Sequence, residues 1–335
     1  MQINVNLGER SYGITVERGC LSSVAEYIGE QRRIFVLTDS GVPREYAETV
    51  ATAKHSMIYT VPEGEGAKSP EVLFQVLGAM LEFNMTRSDA VVAVGGGVVG
   101  DLGGFAASVY MRGVDFYNVP TTLLSMVDSS VGGKTAINFS GVKNTVGTFY
   151  QPKHVFIDAN TLKTLPDRHF SAGACEAVKM AICLDAELFS KIESAGITED
   201  NVEEIITRAI EIKKNIVERD EREGGLRRVL NFGHTLGHGI EAISHGEFYH
   251  GECVALGMIP MCAPYVRERL IAVLRALNLP TEYCGDIDAA LAPIEHDKKC
   301  EGDEVAIIKV EKVGKFTAEK ITTHEFKTLI KKGGL

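Results

Sequence analysis

The sequence predicts two domains of different class: an α/β, Rossmann-like domain over residues 1–160 and a mainly α-helical domain over residues 161–335. Three observations predict this. Short apolar runs rich in β-branched and aromatic residues alternate with helical patterns through the first 160 residues, the mark of a largely parallel sheet. Strand signals almost vanish after that point. A glycine-rich turn, Gly95-x-Gly97-x-x-Gly100, directly follows the apolar run Ala90–Val94, where a strand would hand over to a helix.

The elements follow in order. Ile3, Val5 and Leu7, a turn at Gly8, then Ile14 and Val16 read as a β-hairpin. Residues 32–38, 55–61, 89–94, 115–119 and 154–158 read as buried strands. Ser69-Pro70-Glu71 is a helix start, with a capping hydroxyl followed by proline at the first helical position. Val72, Val76 and Met80, with Leu73, Leu77 and Leu81, form its predicted apolar face. Residues 127–138 and 140–147 read as Gly/Ser-rich loops. Beyond Pro166, residues 171–183, 185–194, 200–219, 234–244 and 252–270 read as helices, and Ile205, Ala209, Ile212 and Ile216 mark one face of the third. A hairpin turning at Val313-Gly314 is expected near the end.

With 335 residues the chain is too long for most single cores. No apolar run reaches about 18 residues, so no membrane span is expected, and the N-terminus lacks the pattern of a signal peptide. The seven cysteines are odd in number and never spaced C-x-x-C, which fits reduced thiols in a cytoplasmic protein better than disulfides or a cysteine zinc site. A net charge of −10 disfavours general nucleic-acid binding. An anionic substrate would need a local collection of basic residues.

The glycine turn suits a pyrophosphate, because small residues let the backbone approach and present free N–H groups. A tight turn without a ligand would use the same glycines. Asp115 lies at the ribose-binding offset, but about 90 residues precede a fingerprint that normally opens its domain. Asp39, at the carboxyl end of an earlier strand, is the alternative. Glu65 and Lys68 sit in the loop PEGEGAKS, which is otherwise a solvated charged loop. Lys134 and Lys143-Asn144 lie among small residues that suit phosphate, though not as a Walker A loop, since Asp128 stands where its first glycine belongs. Arg112, Lys179, Lys213, Arg227 and Lys298 are further basic candidates.

His234 and His238 share a helix face at i, i+4, and His250 follows sixteen residues after His234. Spacing alone favours His234 and His238 as a ligand pair. Glu176 is a further donor, and Lys179 lies one turn after it on the same face. Two imidazoles and a carboxylate would leave coordination positions open, a catalytic arrangement. Glu241 and Glu252 lie close by in sequence.

The blocks GGGVVGDLGGFAASVYMRG, VPTTLLSMVDSSVGGKTAIN, GVKNTVGTFYQPKHVFID, LKTLP, EAVK, DEREGGLRRVLNFGHTLGHGIE, HGECVALGM and DKK occur in order along nearly the whole chain. The chain thereby resembles the 3-dehydroquinate synthases of the sugar phosphate cyclase superfamily. The resemblance implies that family's two-domain fold, bound NAD, and a divalent metal, zinc or cobalt, held by Glu176, His234 and His250, with His238 turned to the substrate instead. It implies dinucleotide contacts from Asp39, Glu65, Lys68, Gly96, Gly97, Asp101, Thr121, Thr122, Lys134, Lys143 and Thr164. It implies substrate contacts from Asp128, Lys134, Lys143, Asn144, Lys179, Lys213, Glu223, Arg227, Asn231, His238 and Lys298, with Arg112 reaching the phosphate of a neighbouring subunit in a homodimer. The implied reaction converts a phosphorylated sugar acid, 3-deoxy-D-arabino-heptulosonate 7-phosphate, to 3-dehydroquinate and phosphate, in the shikimate route to aromatic amino acids. Cys253 and Cys300 depart from the usual pattern at positions without a role. The rival readings are a metal-dependent polyol dehydrogenase of the glycerol type, which would not need the phosphate cluster, and a non-catalytic NAD-binding protein, which would have no use for an open metal site.

Overall fold

The structure, a computed structural model, describes residues 1–29, 31–292 and 304–332. The chain divides into two units, Met1–Leu165 and Pro166–Leu335.

The N-terminal unit holds strands β1 (Gln2–Val5), β2 (Tyr12–Val16), β3 (Ile34–Asp39), β4 (Ser56–Val61), β5 (Ala90–Gly95), β6 (Asp115–Pro120), β7 (Lys134–Phe139), β8 (Val142–Phe149) and β9 (His154–Ile157). Its helices are α1 (Val24–Ile28), α2 (Arg44–Val50), α3 (Pro70–Glu82) and α4 (Gly97–Val109). Seven strands form one sheet in the order β1-β2-β9-β6-β5-β3-β4, parallel throughout except for β1 against β2. The inner strand β5, between β6 and β3, is buried along its whole length, as expected where helices cover both faces of a parallel sheet.

Helix α3 starts as its sequence demands: Val72 N donates to the Ser69 hydroxyl at 3.3 Å, with Pro70 at the first helical position. Its core face is Leu73, Val76, Ala79 and Met80. Leu81 does not belong to it and is 65% exposed, because the i, i+3, i+4 row from Leu73 and Val76 closes at Met80. Helix α4 is apolar nearly all round and buried, and its glycines bring it close to the sheet. A Cβ at Gly103 would stand 3.1 Å from Ala93 Cβ in β5.

The segments read as loops, 127–138 and 140–147, largely form the β7–β8 hairpin, turning at Ser140-Gly141 with φ of 51° and 78°. Every residue of β8 is exposed. Without a buried face, no alternation of apolar and polar residues was required, so the strand left no periodic trace.

The C-terminal unit holds helices α5 (Asp167–Leu184), α6 (Ala186–Ala195), α7 (Val202–Arg219), α8 (His234–Ile243), α9 (His250–Met258), α10 (Pro264–Ala276), α11 (Ile287–Leu291) and α12 (Thr323–Lys332). The hairpin β10 (Glu304–Lys312) and β11 (Lys315–Thr322) turns at Gly314, whose φ is +81°. The single helix expected over 252–270 is two. Helix α9 ends at Met258, a 3-10 turn spans Ile259–Met261, and Cys262 forms a parallel bridge to Val310 before α10 begins at Pro264. Pro260 and Pro264 each remove a helical N–H donor, and the chain changes direction there.

Helices α5, α8 and α9 meet backbone to backbone through glycines. A Cβ at Gly251 would lie 2.6 Å from the Ala172 carbonyl carbon in α5, one at Gly237 would lie 3.0 Å from Cys253 O in α9, and one at Gly233 would lie 2.7 Å from Val254 O. These contacts flank His250 and His234.

Candidate functional sites

In the N-terminal unit the sequence candidates gather at the carboxyl ends of parallel strands, where doubly wound sheets bind ligands. Asp39 ends β3, Glu65 and Lys68 follow β4, Gly96 and Gly97 follow β5, and Thr121 and Thr122 follow β6. Asp39 Oδ1 accepts hydrogen bonds from Gly41 N at 2.8 Å and Val42 N at 3.1 Å. Thr121 N donates to Gly95 O at 3.0 Å, and the Thr122 methyl would stand 3.1 Å from a Cβ at Gly96. Thr164 meets the Tyr46 hydroxyl at 2.9 Å. Asp128 lies in a single π-helical turn, Ser125–Ser129, a feature frequent at functional positions.

Asp115 is overturned as a ribose contact. It opens β6, so it sits at the amino end of the strands, away from the glycine turn, and Arg32 Nη2 holds it at 2.7 Å. The Glu65–Lys68 loop is not a solvated charge run either. Lys68 is 4% exposed; its Nζ meets Asp101 Oδ2 at 2.7 Å, Glu65 Oε1 at 3.4 Å and Asn144 Oδ1. Sequence reasoning gave no role to Asn138. Its Nδ2 donates to Glu65 Oε1 at 2.9 Å, its Oδ1 accepts from Asn144 N at 2.9 Å, and its own N–H donates to Lys68 O at 2.8 Å. A groove of about 430 Å³ runs beside it, lined by Glu65, Lys68, Ser69 and Phe139 among others.

Lys134 opens β7, and Lys143 and Asn144 lie on exposed β8. Three of the sequence candidates adopt left-handed backbone: Arg112 at φ 69°, Asn144 at φ 54° and Glu223 at φ 62°. Such strain clusters where structure fixes a functional side chain.

In the C-terminal unit α5 carries Glu176 and Lys179, both 1% exposed and ion-paired to each other. Helix α8 opens with His234 and α9 with His250. One donor atom from each of Glu176, His234 and His250 lies within 4.8 Å of the others; His250 Nε2 is 3.6 Å from Glu176 Oε1. These residues fit a divalent ion by their hydrogen bonds as well as by their convergence. His234 Nδ1 donates to Phe232 O at 3.1 Å, and His250 Nδ1 is bonded to Glu241 Oε2 at 3.0 Å. Each ring therefore keeps Nε2 for a ligand role, with its other nitrogen held by an oxygen, as metal-bound histidines require. Burial, then the charge of Lys179, holds the His234 imidazolium well below its usual range, so the ring is neutral with a lone pair to give. Burial also lowers His250, but the Glu241 hydrogen bond and the Glu176 charge outweigh it and the net shift is upward. The Cys175 thiol, beside Glu176, is raised well above its usual range by burial and then by that carboxylate, which keeps it protonated and out of the donor set.

The pair favoured by spacing, His234 with His238, is thus not the one that converges with Glu176. His238 lies 5.2 Å from the His234 ring and 5.8 Å from the His250 ring, centroid to centroid, and groups instead with Glu241 and His250. Lys213 and Arg227 are buried at 4% and 2% exposure. Arg227 Nη1 donates to Glu221 O at 2.5 Å. Asn231 Nδ2 donates to Glu223 Oε1 at 2.6 Å. Lys298 lies outside the described residues.

Solved structures define the class to which this fold and site belong. A 2-deoxy-scyllo-inosose synthase complexed with carbaglucose-6-phosphate, NAD+ and Co2+ superposes with a TM-score of 0.89 at 28% identity, covering 100% of both chains. A 2-epi-5-epi-valiolone synthase from Streptomyces hygroscopicus subsp. jinggangensis, with NAD+ and Zn2+ bound, superposes at 0.88 and 28%, covering 98% of both. A probable glycerol dehydrogenase from Sinorhizobium meliloti shares the fold alone, at 18% identity and a TM-score of 0.64. The sequence profile of the 3-dehydroquinate synthase N-terminal region matches residues 58–172, and that of the C-terminal region matches 173–300. The 3-dehydroquinate synthase of Enterococcus faecalis V583 is 40% identical across 100% of this chain and 99% of its own, and that of Streptococcus sanguinis SK36 is 38% identical across 99% and 100%. The chain belongs to the 3-dehydroquinate synthase family.

Proposed function

We propose that the chain converts 3-deoxy-D-arabino-heptulosonate 7-phosphate to 3-dehydroquinate and inorganic phosphate. The observation that carries this reading is the tandem match of residues 58–172 and 173–300 to the two regions of one family. The substrate is oxidised transiently at C5, loses its C7 phosphate, is reduced again, opens its ring and closes a carbocycle by an intramolecular aldol step. Bound NAD would supply a reversible hydride store, and a zinc or cobalt ion on Glu176, His234 and His250 a Lewis acid for hydroxyl oxygens.

The remaining work falls to side chains of this chain. Asp39, Glu65, Lys68, Gly96, Gly97, Asp101, Thr121, Thr122, Lys143 and Thr164 bind the dinucleotide, with the first turn of α4 presenting N–H groups to its pyrophosphate. Lys134, Asn144 and Lys298 hold the substrate phosphate, and orientation is their main contribution. Lys179, Lys213 and Arg227 hold hydroxyls and the carboxylate, together with Asp128 and Asn231. Glu223, fixed by the Asn231 amide, and His238 move protons at the hydroxyls. The same reading carries a homodimer, in which Arg112 reaches the partner's substrate phosphate, and a cytoplasmic setting, which suits the free thiols of the described cysteines. Phosphate release from the heptulosonate without accumulation of NADH is the expected result. NADH accumulating in step with turnover overturns the reading in favour of a polyol dehydrogenase.

A further inference from the structure

We infer that Arg168 and Glu252 are positioning residues for the metal ligand His250, an inference that rests on the ligand set Glu176, His234 and His250. Arg168, Ala172 and Glu176 stand at i, i+4 and i+8 on α5, so one face of that helix carries all three. Arg168 opens this face and reaches the start of α9. Its Nε donates to Glu252 Oε1 at 2.7 Å and its Nη2 to Glu252 Oε2 at 2.8 Å, a two-pronged pair. The Nη2 atom also donates to Glu247 O at 2.5 Å, and the guanidinium lies 4.2 Å from the centre of the Tyr249 ring. His169 stacks on the same ring at 4.7 Å. Glu252 Oε2 in turn accepts from Tyr249 N at 2.8 Å, which ties the residue before α9 to the third residue of its first turn. His250 is the first residue of that turn.

The consequence is a rigid link between two ligands on different helices. Glu176 sits two turns along α5 from Arg168, and His250 is held to the beginning of the same helix by the Arg168–Glu252 fork, the Tyr249 stack and the Gly251–Ala172 backbone contact. An ion pair with one half-exposed partner adds little to global stability. Its bidentate geometry, however, fixes direction as well as distance. The pair therefore acts on where His250 points more than on whether the helices fold.

The test titrates metal-free protein with Co2+ and Zn2+ against a chromophoric chelator, reads the visible absorption of bound Co2+, and follows thermal unfolding of the metal-free form. The variants are Arg168→Met, Arg168→Lys and Glu252→Gln, with Glu176→Gln as control. Arg168→Met and Glu252→Gln are expected to weaken both metals by about 10- to 100-fold and to change the Co2+ spectrum, with metal-free melting near that of the parent. Arg168→Lys, which keeps the charge without the fork, restores only part of the affinity. Parental affinity and spectrum in Arg168→Met and Glu252→Gln overturn the inference. So does a loss of affinity matched by an equal loss of metal-free stability with an unchanged spectrum, which is a purely structural role. If Glu176→Gln retains the metal, the ligand set itself is wrong and the inference falls with it.

Discussion

Gly251→Ala is a one-carbon change expected to separate the proposed metal ligands Glu176 and His250 from one another. The added Cβ would stand 2.6 Å from the Ala172 carbonyl carbon and 2.8 Å from its Cα, both backbone atoms of α5. Non-bonded carbons rest at about 3.5–4.0 Å, so α5 and α9 must part by roughly 1 Å, and no side chain can yield in their place. Glu176 travels with α5 and His250 with α9, and their donor atoms now stand 3.6 Å apart. A metal site tolerates about 0.2 Å in each bond, so the displacement exceeds what the triad can absorb. Overpacking of this kind costs about 1–3 kcal/mol of stability. We expect metal affinity to fall by well over tenfold, measured by chelator competition, together with a lower melting temperature. A Gly251→Ala protein with parental metal affinity refutes the claim that this contact sets the ligand spacing, whatever its stability.

Four further outcomes are expected. Glu176→Gln and His250→Ala lose bound metal, read by elemental analysis, together with turnover. Lys134→Ala weakens binding of the phosphorylated substrate far more than binding of NAD, as calorimetry with each ligand checks; equal losses contradict a phosphate role. Asn138→Ala leaves Glu65 and the Asn144 N–H each one hydrogen bond short, at about 1 kcal/mol apiece, and is expected to weaken NAD and phosphate together, each by several-fold. His154 is buried, bonded to Thr15 Oγ1 at 2.8 Å and Tyr27 Oη at 2.9 Å, and burial lowers its pKa from 6.5 to about 4. The unfolded chain then takes up a proton near pH 6.5 that the folded chain refuses until about pH 4, so stability is lost as pH falls through that window. Between pH 7.5 and 5 the loss is about 2 kcal/mol, and urea unfolding of His154→Gln should lack that share of the pH slope.

What the sequence made legible follows from which residues face the core. The strands β3, β5, β6 and β9 are almost wholly buried, and a strand covered on both sides reads as a near-continuous apolar run, interrupted here by Thr38, Asn118 and His154. Ser69-Pro70 announced α3 because its first turn needs an oxygen acceptor and can spare an N–H. Exposed β8 carries no such requirement, so its sequence predicts a loop. The sequence predicts one helix over 252–270 because its apolar content does not register a change of direction. Pro260 and Pro264 were the available signals of the break, and the bridge from Cys262 to Val310 explains why the chain turns there.

The site was legible to a different depth, since spacing records neighbours on one element and not convergence between elements. His234 and His238 are four apart, so any helix places them on one face, but coordination is settled by which nitrogen each ring keeps and by what lies across the gap. That depends on Glu241, which bonds His250 Nδ1, and on Phe232 O, which bonds His234 Nδ1. Neither contact has a fixed sequence offset from both ligands. The same holds for Asp115, placed at a ribose-like offset yet carried to the wrong end of β6 by strand direction, and for Asn138, whose three contacts reach residues 65, 68 and 144. Glycine is the exception that a sequence does expose. Gly233, Gly237 and Gly251 lie beside or within a turn of the proposed ligands His234 and His250, and each stands where another backbone leaves little or no room for a Cβ. A glycine adjoining a candidate ligand therefore carries information about packing across helices that the ligand's own spacing does not.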